Sequence, residues 1–83
     1  MSEQEHDREV QILVNEHPVH MRRGDATGLQ IKEAAIAQGV AIQPEFVLSE
    51  ELGERRSRVI GDNQKVEMRE HLKFVAVAPD DNS

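Results

Sequence analysis

Apolar residues fall at every second position over Val10, Ile12 and Val14, the period of a strand buried on one face. Asn15-Glu16-His17 interrupts the run. After Pro18 a second alternating stretch carries Val19 and Met21, so the two segments read as a hairpin. The pattern then changes period. Thr27 stands as an N-cap with Gln30 three residues on, the reciprocal arrangement of a capping box, and Ala26 and Ile31 occupy the flanking apolar staple positions. Ile31, Ala34 and Ala35 make a narrow helical stripe and Gly39 is a natural stop, which predicts a helix over about 28–38. Val40-Ala41-Ile42 before Pro44 favours an extended connection. Phe46, Val47 and Leu48 form a short third strand, and the charged stretch from Glu50 to Arg58 reads as an exposed loop. Val59-Ile60 leads into a turn at Gly61-Asp62-Asn63, and Val66 and Met68 belong to a short extended segment. Leu72, Phe74 and Ala76 alternate in a last strand, with Val75 and Val77 on its other side.

One helix laid across a mixed sheet of four to five strands, with a hairpin at the front and a strand at the back, is an α+β arrangement of the β-grasp plan. In that plan the last strand pairs in parallel with the first.

Composition narrows the function classes. At 83 residues the chain holds one domain, which buries only about 60% of its unfolded surface. It lacks cysteine, which removes disulfides, thiol chemistry and cysteine zinc sites. With no Trp or Tyr and only Phe46 and Phe74, it has almost nothing on which nucleic-acid bases could stack. The net charge of -6 is concentrated at the ends. Residues 1–9 set Glu3, Glu5, Asp7 and Glu9 against Arg8, and residues 79–83 read Pro-Asp-Asp-Asn-Ser. Both stretches lack apolar residues to bury and are expected to be flexible tails around a domain over 10–78. That domain carries ten acids and nine bases, a net -1. The acidic start is unlike a targeting peptide, and no apolar run approaches the ~20 residues of a membrane span. A cytoplasmic protein with neither nucleic acid nor membrane as partner is the expectation.

Few side chains suggest chemistry. His17 and His20 sit at i and i+3 on a strand, so their imidazoles diverge, and no further ligands complete a metal site. His71 lies near Glu67 and Glu70, but Ser2, Ser49, Ser57 and Ser83 stand in no nucleophile motif. Gly24, Gly28 and Gly39 form no phosphate loop. Arg55-Arg56-Ser57-Arg58 is the strongest basic cluster, with Glu50, Glu51 and Glu54 cancelling most of its charge in sequence. Neither an enzyme nor a cofactor is expected.

The stretches Ile12-Leu13-Val14-Asn15, Thr27-Gly28-x-x-Ile31-Lys32, Phe46-x-Leu48 and Phe74-x-x-Val77 resemble the bacterial multiubiquitin domain family over about residues 10–79. The resemblance implies a ubiquitin-like β-grasp domain acting as a protein modifier. Its expected partners are an activating (E1-like) adenylating enzyme, a conjugating (E2-like) enzyme and a processing peptidase. Its expected working element is the tail Pro79, Asp80, Asp81, Asn82 and Ser83, whose carboxylate would be activated and joined to a target. Ubiquitin and the sulfur carriers end in Gly-Gly, whereas no glycine follows Gly61 here. Peptidase trimming, a fragment of a longer chain and a non-glycine carboxylate such as that of Asn82 each account for this. The missing Gly-Gly disfavours a sulfur carrier, and a non-conjugated interaction module is the alternative to a modifier. A second departure is Glu70-His71, where family members tend to carry glycine. In β-grasp modifiers the exposed sheet face recognises partners, which here draws on Leu13, Val47, Val75 and Val77. Lys32, Lys65 and Lys73 are candidate acceptors for chain formation, or ordinary surface charge.

Overall fold

The first hairpin is set by two residues with left-handed backbones. Asn15 and Glu16 have φ of 51° and 68°, the pair of positive values that a two-residue type I′ connection needs to match the strand twist. In the computed structural model, which describes residues 8–79, this turn joins β1 (Glu9–Val14) to β2 (His17–Arg22) with Ile12 opposite Val19. β1 opens at Glu9, inside the stretch expected to be a tail, because Glu9 pairs with Arg22. The expected tail segments 1–7 and 80–83 lie outside the described residues.

A short β3 (Gly24–Thr27) runs straight into the helix α1 (Gly28–Ala37). The capping box forms as the spacing predicts: Gln30 N–H donates to Thr27 Oγ1 at 3.1 Å and Thr27 N–H donates to Gln30 Oε1 at 2.8 Å. Gly28 is required by a neighbour distant in sequence. A Cβ there would stand 2.3 Å from the Gly61 carbonyl oxygen, and the Gly28 and Leu29 amides donate to the Gln64 and Asp62 carbonyls at 3.1 Å each. At the other end Gly39, with φ of 99°, turns the chain so that its N–H reaches Ile36 O while Val40 N–H reaches Ala35 O. That is the Schellman stop, and it buries Val40.

The remaining strands are β4 (Val47–Gly53), β5 (Arg56–Ile60), β6 (Lys65–Met68) and β7 (Lys73–Val77). The charged stretch read as a loop is therefore a hairpin. Leu48 pairs with Ile60 and Glu50 with Arg58, with a register irregularity between Glu51 and Gly53 and a turn at Glu54-Arg55. β3 pairs with β6 as a separate two-stranded sheet. The main sheet has the order β2-β1-β7-β4-β5, with β7 parallel to β1 and antiparallel to β4. One helix on a mixed five-stranded sheet with first and last strands parallel at its centre is the ubiquitin-like β-grasp.

The core lies between helix and sheet. Val10, Ile12 and Val14 of β1 meet Leu48, Ile60, Phe74 and Ala76 from the sheet and Ile31 and Ala35 from the helix, all buried. Each strand thereby commits alternate residues inward and frees the intervening ones for the outer face.

Candidate docking face and tail exit

Register decides which outer-face residues meet. Val47 stands directly opposite Val77, Ser49 opposite Val75, and Glu51 opposite Lys73, which in turn neighbours Leu13 of β1. Leu13, Val47, Val75 and Val77 all lie on the face away from the helix, where the alternation puts them, in two groups. Leu13 and Val75 are half-buried and line a shallow groove of about 280 Å³ with Glu16, Glu51 and Lys73. Val47 and Val77 are exposed, at 38% and 53%, and are joined across Ser49 by Val59 of β5 at 64%. Val59 is missed when 50–58 is read as a loop, because Arg56-Ser57-Arg58-Val59-Ile60 has no apolar alternation and becomes a strand only by pairing with β4. Three exposed valines on adjacent strands make an apolar strip where the sheet meets the chain's exit. Val77 is the last residue of β7, and Ala78 and Pro79 follow it, exposed. Asp80, Asp81, Asn82 and Ser83 lie outside the described residues.

Asn15 explains why the opening strand ends in that residue. Its side chain donates through Nδ2 to Ala76 O at 3.0 Å and accepts at Oδ1 from Ala76 N–H at 2.8 Å, while its own amide donates to Phe74 O at 2.9 Å. The first turn thus grips both backbone polar groups of Ala76, one residue before β7 ends at Val77.

The lysines separate sharply. Lys65 and Lys73 are exposed, on β6 and β7. Lys32 is not surface charge: it is 3% exposed, and its Nζ donates to Pro44 O at 2.6 Å, Phe46 O at 2.8 Å and Asp62 Oδ1 at 2.8 Å. With all three ammonium hydrogens engaged and the approach closed, Lys32 is corrected from candidate acceptor to a tie between α1, the 43–46 connection and the 61–64 turn.

The other polar candidates do not converge. His17 and His20 are exposed, with the His20 backbone held by Gln38. Glu67 pairs with Arg69 at 3.2 Å, and Glu70 Oε1 accepts from the Gln11 amide at 3.0 Å, so both carboxylates near His71 are directed elsewhere. His71 has φ of 72°, a left-handed backbone that favours glycine. Among the described residues no three ligating side chains gather as a metal site, and no helix is long and apolar enough to cross a membrane.

No curated protein and no solved structure matches the chain. The multiubiquitin model matches residues 10–80, from the first core residue of β1 past the end of β7, and the chain belongs to the multiubiquitin family.

Proposed function

We propose that the protein is a ubiquitin-like modifier and not itself an enzyme. In this reading an E1-like enzyme adenylates its C-terminal carboxylate, with or without prior trimming of Pro79–Ser83 by a peptidase. An E2-like enzyme then receives the chain and joins it to a target. The observation that carries the reading is positional: the family match extends over the whole β-grasp, and its apolar strip of Val47, Val59 and Val77 borders the point where the tail leaves β7. An enzyme that grips the strip has the tail within reach of its active site, and desolvated apolar anchors supply most of the affinity of such contacts. Lys65 and Lys73 are the lysines open to a second modifier.

The test is to incubate the chain with its cognate activating enzyme and ATP and to record intact mass. An adenylate or a covalent enzyme adduct is expected, reduced by Val77→Asp while the circular-dichroism melt stays unchanged. Stable non-covalent binding with neither product would overturn the modifier reading in favour of an interaction module. Intact mass after co-expression with the peptidase reads trimming directly.

A further inference from the structure

The two edges of the main sheet are not equivalent. β2 is closed to another strand. Pro18 has no N–H to donate, and the His20 N–H and C=O are both taken by Gln38, at 2.8 Å each. β5 carries no such cover: among the described residues its one strand neighbour is β4, and it has no proline. Its outer flank presents a row of main-chain donors and acceptors that a further strand could pair with.

The side chains of β5 specify what that strand would be. Arg56 and Arg58 point to one face of the sheet, while Ser57 and the exposed Val59 point to the other. The fold divides the acids that cancel these charges in sequence: Glu50 neutralises Arg58, whereas Arg56 makes no ion pair among the described residues. Glu50 has its side chain 9% exposed and binds Arg58 through Nε and Nη2 at 3.1 and 2.9 Å, and Glu51 faces Lys73. Arg58 keeps half its side chain in solvent, and β5 itself bears no acid. A second copy pairing here would set arginines against arginines, which the cross-strand rule penalises. An acidic strand gains on the arginine face, and its alternate apolar residues continue the strip of Val59, Val47 and Val77 on the other.

We propose that β5 is a strand-addition site for an extended peptide segment in which acidic and apolar residues alternate. The site is independent of conjugation and needs neither the tail nor an activating enzyme. The probe is a blocked synthetic peptide, Val-Asp-Val-Glu-Val-Asp, titrated into the ¹⁵N-labelled full chain. Saturable amide shifts are expected over residues 56–60 and in the facing part of β4, with β2 unmoved. Affinity should fall about fivefold on Arg56→Glu, the combined loss of an attractive cross-strand pair and gain of a repulsive one. The same peptide with lysine at the acidic positions should bind the wild type weakly and the Arg56→Glu variant better. Arg56 is exposed and outside the core, so an unchanged amide spectrum away from β5 certifies the variant's fold. Absence of saturable shifts on β5, equal binding of acidic and basic peptides, or shifts centred on Leu13 and Val75 would each overturn the proposal. The arginines would then serve only to keep the edge unpaired.

Discussion

Replacing Lys32 with Met isolates the contribution of one buried charge, because Met keeps an unbranched apolar stem of similar reach and deletes the ammonium. Three acceptors lose a partner: the Pro44 and Phe46 carbonyls and Asp62 Oδ1. Asp62 has a side chain 56% exposed and recovers water, so its share is small. The two carbonyls each lose a bond to a charged donor, worth about 1.5 kcal/mol apiece at the low end of the range. Relief of the ammonium's desolvation offsets part of the sum. The expected loss is about 2–3 kcal/mol, against a total of about 4–12 kcal/mol for a domain of this length. Each kcal/mol moves the midpoint of so small a domain by roughly 4–8 °C, so Tm should fall about 10–20 °C in calorimetry. Asp62→Asn should cost under about 1 kcal/mol, since an exposed carbonyl oxygen remains to accept. Amine acylation followed by mass spectrometry gives a second, independent reading. Lys65 and Lys73 should react at ordinary surface rates, and Lys32 only when the domain opens. A Tm change below about 3 °C, or Lys32 acylated as fast as Lys73, would refute the reasoning.

Asn15→Ala should cost about 2 kcal/mol, the two bonds to Ala76, and should speed hydrogen exchange at the Ala76 amide more than at Val19. Gly28→Ala, normally favourable in a helix by ~1 kcal/mol, should here be destabilising, since its Cβ meets the Gly61 carbonyl oxygen at 2.3 Å; a melt checks the sign. His71→Gly should stabilise by about 1 kcal/mol by removing the left-handed penalty, raising the urea midpoint without changing m.

Local signals located the elements they control. The capping box at Thr27, the stop at Gly39 and the alternation of Val10, Ile12 and Val14 each involve residues within a turn or two, and each forms as its spacing predicts. The 50–58 stretch failed because its polar composition resembles a loop, while the physics that makes it a hairpin is pairing. Arg58 lies opposite Glu50, and β4 is sandwiched between β5 and β7. Lys32 failed for the same reason. Nothing next to it in sequence announces that Pro44, Phe46 and Asp62 will surround it. Of the proposed docking residues, Leu13, Val47, Val75 and Val77 were legible as the off-core half of alternating strands. The strip that Val47 and Val77 form with Val59 depends on a strand order that periodicity does not contain.

Charge shows how far linear cancellation departs from the folded arrangement. Over residues 10–78 acids and bases nearly balance, and around 50–58 three glutamates face three arginines in sequence. Folding sorts them by strand. Glu50 turns inward and holds Arg58, Glu51 lies between Ser57 of β5 and Lys73 of β7, and Arg56 stands on the outermost strand with no ion pair among the described residues. A partner approaching in the plane of the sheet therefore meets basic groups first, although the domain as a whole is slightly acidic. The opposite edge was closed by a different route, with a proline and a glutamine side chain, so the sheet can be extended in one direction only. That asymmetry follows from four side chains, Pro18, Gln38, Arg56 and Arg58. None of them belongs to the hydrophobic core, and Arg56 can be changed without leaving the nearly buried Glu50 carboxylate unpaired, as loss of Arg58 would.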